Sequence, residues 1–349
     1  MKVVFLCRLK KAAALLLIFA FMAAMVSCSP NSQNGDGSKI ELSLAHFFPS
    51  THPIEKELVQ TWIEEIKKAT NGRVVITSYS DEQLGKAADI YKNVVDGVAD
   101  IGLSCFSYTR GRFQVLEAFE LPGIIYKNSK AASKVAWEGI KEINPKEVQD
   151  TVLMMVIATG PGDLFTKAPV EKLEDIKDME IRATGISAQT VELLGGIPVA
   201  MAQSEAYEAL SKGIVKGNLS PVEVLKGWRH AEVTKYLTKT PFLYNTLFFI
   251  TMNKDKWNSL PEDIQKAILE VNEKVHEEVG IGLWDKQNEE ALKWAVDEQG
   301  LKIIELAKEE TDRWIKALES IHNDFSKKIK DESVIEKVKA LAEKYNKLY

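Results

Sequence analysis

The segment from Met179 to Ser220 (MEIRATGISAQTVELLGGIPVAMAQSEAYEALSKGIVKGNLS) reads strand, helix, strand, helix, strand, and residues 40–105 read in the same order. Tyr91 and Tyr207, Gly97 and Gly213, Val98 and Ile214, Leu103 and Leu219, and Ser104 and Ser220 each stand 116 positions apart. A constant offset across the last helix–strand unit of both segments predicts two similar α/β lobes. Ligands of open parallel sheets bind beyond the carboxyl ends of the strands, and a cleft between domains is a usual place for a small-molecule pocket. The strand ends fall at His46, Phe47, Tyr79, Ser104 and Phe106 in the first lobe, and at Arg182, Thr184, Gln203 and Ser220 in the second.

Residues 40–47 (IELSLAHF) alternate like a strand, and Pro53 in a first turn opens a helix whose apolar face is Ile54, Leu58, Trp62 and Ile66. A helix is predicted over 83–96 and a strand over 98–105. The apolar strand 153–159 leads into Gly160-Pro161-Gly162 and carries the chain to the second lobe; 222–236 reads helical, and 247–252 (LFFITM) is the return strand. Ser259-Leu260-Pro261-Glu262 has the form of a capping serine with Glu three residues on. It opens a helical pattern to about Gln299, which either braces both lobes or breaks near Gly280 and Gly282. The expected organisation is a leader at 1–28, a flexible tether at 29–39, a first lobe of 40–158 plus about 248–287, and a second lobe of 159–247 plus about 288–349.

The leader has a basic start (Lys2, Arg8, Lys10, Lys11), an apolar run from Ala12 to Val26, and the ending Met25-Val26-Ser27-Cys28. This is the pattern of a secretion signal, and its end resembles a bacterial lipobox with Met in place of Leu. The expectation is lipid attachment at Cys28, tethering an extracytoplasmic body; ordinary cleavage to an untethered product is the alternative. Of the three cysteines, Cys7, Cys28 and Cys105, only Cys105 lies in the body, so no disulfide framework is expected. The chain carries a net charge of −5, more negative once the leader cations are removed. That argues against nucleic acid or anionic lipid as the main partner.

The five histidines form no HExxH pair, and there is no GxSxG elbow or P-loop. Neither metal nor cofactor is expected, nor a catalysed reaction. Arg182 is the one residue whose placement asks for chemistry. An arginine at a strand end is either a surface charge or an anion clamp, and a planar guanidinium grips a carboxylate through two parallel hydrogen bonds. Phe47, Phe106 and Phe165 are either plain core or the wall of an apolar pocket for an acid with an aromatic or aliphatic tail.

The segment EIRATG…LGGIPVAM…SEAYEALSKGIVKGNLSP resembles the diagnostic stretch of the DctP-type solute-binding proteins of TRAP transporters. HFFPSTHP, QLGKAADIYKNVVDGVADIGLS, FELP and NKDKWNSLPEDIQKAI fit the same family, so the resemblance covers nearly the whole chain from Ile40. It implies a two-lobe fold with a long helix spanning both lobes. The lobes would close on a small organic acid, and the loaded receptor would dock on a sodium-driven membrane permease. It also implies that Arg182 pairs with the ligand carboxylate and that His46, Lys86, Ser104, Gln203, Ser220 and Asn245 fall at ligand-contacting positions. For Ser104 and Ser220 strand capping is the alternative; for Lys86 it is a solvated lysine at a helix start. The resemblance departs at one place. Some members, such as sialic-acid receptors, carry a second arginine in the crossing segment, where Gly160–Phe165 supplies none and Gly162 is the counterpart. A receptor for an ATP-driven importer and a surface sensor or adhesin are the rival readings.

Overall fold

The computed structural model describes residues 39–349. The leader, Cys28 and the tether up to residue 38 lie outside the described residues. The strands are β1 (Ile40–His46), β2 (Val74–Tyr79), β3 (Ile101–Cys105), β4 (Thr151–Ala158), β5 (Asp163–Thr166), β6 (Glu180–Arg182), β7 (Ile197–Val199), β8 (Gly217–Ser220), β9 (Tyr236–Lys239), β10 (Leu247–Asn253) and β11 (Lys302–Glu305). They form two sheets, ordered β2-β1-β3-β10-β4 and β11-β9-β5-β8-β6-β7.

The sheets share one plan. In the first, β1 runs parallel to β2 and β3, and β10 lies antiparallel beside β3. In the second, β6 runs parallel to β7 and β8, and β5 lies antiparallel beside β8. The residues at constant offset occupy matching places. Gly97 and Gly213 follow the helices Ile90–Val95 and Gln203–Lys212, and both have φ +74°, the left-handed conformation that ends a helix. The residues after them, Val98 and Ile214, are both exposed.

Local readings differ at three places. The helix expected over 83–96 is only Ile90–Val95, because Asp81 and Glu82 adopt positive φ and the chain turns repeatedly before Ile90. The span 222–236 is a short helix, Val224–Gly227, and a 3-10 turn, His230–Glu232, separated by Arg229 at φ 61°. Ser259 does not cap the long helix: its Oγ donates to the carbonyl of Lys256 at 2.6 Å and closes the preceding helix Lys254–Asn258.

The long helical stretch does both things expected of it. Helix Glu262–Val275 packs Ile264, Ile268, Val271 and Val275 into the core of the first sheet. A π turn at His276–Gly280 interrupts it, where the Gly280 backbone approaches Ile157 and Met155 of β4. Helix Leu283–Asp297 starts in the first core with Leu283 and Trp284, and ends in the second lobe, where Ala291 and Ala295 pack with Phe165 and Leu237.

The C-terminal assignment is corrected. Trp314 and Leu318 belong to the second-lobe core with Ile181 and Leu219. The chain then crosses back: Ile321, Phe325, Val334, Val338 and Tyr345 join the first core, and His322 Nε2 bonds to the Pro122 carbonyl at 2.7 Å. The helix Ser333–Leu348 is amphipathic, and its apolar stripe covers the helix Ser129–Ile143 of the first lobe, leaving its charges to solvent.

The crossing at Gly160–Gly162 is sterically tight. A Cβ on Gly162 would lie 2.6 Å from the Ser220 carbonyl oxygen and 2.5 Å from Tyr244 Cδ1. No side chain fits at Gly162 without a shift of Ser220 or Tyr244. Gly162→Ala is expected to lower stability by roughly 1–3 kcal/mol in urea titration and to weaken ligand affinity, because the atom it displaces belongs to Ser220.

Candidate functional site

Arg182 ends β6 and is only 1% exposed. Its Nε donates to the Met201 carbonyl at 3.1 Å, one terminal nitrogen to Ser220 Oγ at 3.1 Å, and the other to the Tyr108 hydroxyl at 3.4 Å. Among the described residues no Asp or Glu forms an ion pair with it. A buried guanidinium with only neutral acceptors is an unusual arrangement, since an unpaired buried charge costs several kcal/mol.

The groups hydrogen-bonded to those acceptors are also neutral. His230 is buried between Gln203 (Nε2 at 3.0 Å) and Asn218 (Nδ2 at 3.1 Å). Burial, then the charge of Arg182, push its pKa down to about 3, so the ring is neutral. A neutral imidazole has one N–H, so one of the two amides turns its oxygen toward it. Ser220 Oγ accepts from Arg182 and donates to Asn218 Oδ1 at 2.9 Å. These groups hold the guanidinium in place without neutralising it.

Arg182 lines a cavity of about 20 Å³ with Phe47, Phe48, Cys105, Tyr108, Gln203, Glu223, Trp228, Tyr244, Thr246 and Phe248. That is room for about one water. Rings from both lobes meet here. Phe47 stacks on Trp228 with centroids 5.9 Å apart and planes at 19°, and meets Tyr108 edge-on at 5.4 Å. Tyr108 also lines an outer groove of about 270 Å³ with Glu82, Lys86, Thr184 and Met201. Its hydroxyl accepts from the Gln203 backbone N–H at 3.0 Å as well as from Arg182. Tyr108 therefore separates the inner cavity from the groove, with its oxygen at an acceptor position of the guanidinium. A larger groove of about 670 Å³ runs along the edge strand β4. Its charges Lys141 and Glu273 pair at 3.6 Å, and it offers no buried cation.

The expected site residues divide. Arg182, Gln203 and Phe47 line the cavity, and Ser220 holds Arg182. The others do not. His46 Nε2 bonds Glu55 at 2.8 Å and Ser78 at 3.1 Å, so it faces the helix start rather than the cleft. Ser104 Oγ donates to the Ala87 carbonyl at 2.7 Å, on the face of β3 that packs against the helix Ile90–Val95. Phe106 is core, packed on Phe113 and Phe249. Asn245 Nδ2 donates to the Phe119 carbonyl at 3.1 Å, and its neighbours Tyr244 and Thr246 reach the cavity instead. Lys86 is a solvated lysine paired with Glu82 at 2.9 Å on the outer groove.

Three residues that sequence reading missed matter here. Tyr108 is one. His52 and Glu223 are the others: His52 Nε2 meets Glu223 Oε2 at 3.1 Å, joining the lobes across a buried contact. The His52 Nδ1 accepts from the Ile54 backbone N–H at 3.1 Å. A backbone amide can only donate, so the ring proton sits on Nε2 and points at Glu223. Beside the cleft, Glu120 is buried with Oε1 accepting from Leu247 N–H at 2.7 Å and Thr246 Oγ at 2.9 Å. Burial raises its pKa to about 8 despite those bonds. Its position in the FELP segment gave no sign of this, because the burying elements are distant in sequence.

The chain is similar in sequence and fold to several known proteins. A solute-binding protein of Roseobacter denitrificans is 24% identical over 212 residues, 59% of this chain and 64% of that protein's length. The C4-dicarboxylate-binding periplasmic protein DctP of Rhodobacter capsulatus is 26% identical over 289 residues, covering 80% of this chain and 85% of that protein. A marine-metagenome TRAP solute-binding protein specific for aromatic acid ligands, solved with metahydroxyphenylacetate, superposes with a TM-score of 0.82 at 29% identity, over 88% of this chain and 99% of its own. The family model for bacterial extracellular solute-binding protein, family 7 (DctP) matches residues 44–328, and with two equivalent α/β lobes around a buried arginine this chain belongs to that family.

Proposed function

We propose that the protein is an extracytoplasmic receptor that takes a small organic acid between its lobes and hands it to a sodium-coupled TRAP permease. The observation that carries this reading is Arg182: a buried cation whose partners are all neutral, at the junction of two lobes. A ligand carboxylate supplies the missing anion and replaces the Tyr108 hydroxyl as acceptor. The family is one of substrate-binding receptors, and nothing in the site calls for a catalytic step.

Admitting an acid requires the cavity to enlarge, and the fold offers the means. The lobes are joined by the Gly160–Gly162 crossing, the return into β10 and the interrupted long helix. Parting the lobes would separate Phe47 from Trp228 and His52 from Glu223; a bound acid favours the closed form by its higher affinity for it. The aromatic walls suit a flat acid, and the relative at 29% identity binds aromatic acids. The dicarboxylate ligand of the Rhodobacter capsulatus relative is the alternative. Secretion and lipid attachment at Cys28 would place the receptor at the membrane. Among the described residues no helix is long and apolar enough to cross a membrane.

The test is a thermal-shift screen against aromatic and aliphatic mono- and dicarboxylates. A ligand at a hundred times its Kd adds about 2.7 kcal/mol to native stability, expected to raise Tm by several degrees. No shift with any acid would defeat the reading.

A further inference from the structure

The cavity wall carries a carboxyl group as well as a guanidinium. Glu223 lines the same cavity as Arg182, yet the two form no ion pair. The glutamate is held from two sides. Its backbone N–H donates to Asn288 Oδ1 at 2.9 Å, and its Oε2 takes the Nε2–H of His52. Among the described residues, Oε1 has no hydrogen-bond partner. Phe47, Tyr108 and Trp228 line the cavity with Arg182 and Glu223.

We infer that Glu223 is a specificity-determining residue that accepts a hydrogen bond from a ring hydroxyl, so that the receptor selects hydroxylated aromatic monocarboxylates. This rests on the reading of Arg182 as the carboxylate clamp. The acid pairs with Arg182, its ring lies between the aromatic side chains, and its hydroxyl donates to Glu223 Oε1. The fixed tautomer of His52 keeps Oε2 occupied and leaves Oε1 for the guest. The same negative charge excludes a second carboxylate, so dicarboxylates are rejected. A site built to bond a hydroxyl discriminates against the analogue that lacks it, because its own polar group is left unpaired.

The experiment is calorimetric titration of the wild-type chain with benzoate and phenylacetate, their 3- and 4-hydroxy and methoxy derivatives, and isophthalate. At least one hydroxy isomer is expected to bind about tenfold or more tighter than its parent acid and its methoxy analogue. Isophthalate is expected to bind weakest. In Glu223→Gln the amide oxygen must face the His52 N–H, which turns the NH2 group into the cavity. The preference for hydroxyl over methoxy should then fall to within about threefold. A thermal melt of the ligand-free variant checks that it is folded. If hydroxy, methoxy and parent acids bind the wild type equally, or the preference survives in Glu223→Gln, the inference is overturned while the carboxylate clamp stands. If no acid binds at all, both fall.

Discussion

Arg182→Ala should lower affinity for the acid by about a hundredfold or more, and Arg182→Lys nearly as much. Truncating one member of a buried, hydrogen-bonded charge pair costs roughly 2–5 kcal/mol. An ammonium cannot reproduce the fork that holds Met201, Ser220 and the ligand in one plane. The ligand-free protein should respond in the opposite sense. Its guanidinium is buried against neutral acceptors, so Arg182→Met removes an uncompensated charge and fills similar space. Its Tm without ligand is expected to equal or exceed that of the wild type, while ligand no longer raises it. Calorimetry and thermal melts on the same samples check both halves. Retained affinity in Arg182→Ala would remove the clamp, and a marked loss of ligand-free stability in Arg182→Met would show that the guanidinium is a structural group.

The second large effect concerns pH. The Glu120 carboxyl titrates at about 8 in the folded chain because it is buried, against 4.5 when exposed. Between these values the folded state holds a proton that the unfolded state has released. Its contribution is therefore complete below about 4.5 and is lost as pH rises to about 8, on the order of 5 kcal/mol in all. Asp163, pushed up to about 6 by burial, adds a smaller decline of the same sign at lower pH. In Glu120→Gln the amide oxygen still accepts from Leu247 and Thr246 without a proton to lose. Urea titrations from pH 5 to 9 should show wild-type stability falling and the variant's curve nearly flat over the upper half of that range. Parallel curves would mean that Glu120 does not titrate there.

The plan of two equivalent lobes was legible because it depends on short-range signals: apolar period, glycine after each helix, and one recurring spacing. Arg182 was legible as a planar cation at a strand end. What the sequence hid was orientation. Along β3 successive side chains face opposite ways, so Ser104 turns to the helix Ile90–Val95 and Cys105 to the cavity; a one-residue difference decides the role. His46 and His52 are similar on paper, but Glu55 captures the first and Glu223, 171 positions away, meets the second. Tyr108 reaches Gln203 across 95 positions. Such pairings exist only once the lobes meet. The C-terminal helices returned to the first lobe for the same reason: amphipathic period says that a face is buried and not what covers it.

Cys105 is the one cysteine among the described residues, and it lies in the wall of the cavity, where burial pushes its thiol well above the usual range. The molecule thus carries a natural tag at its own centre. A small alkylating reagent can report how often the jaws gape, since modification must wait for opening and a well-chosen guest should shield the sulfur.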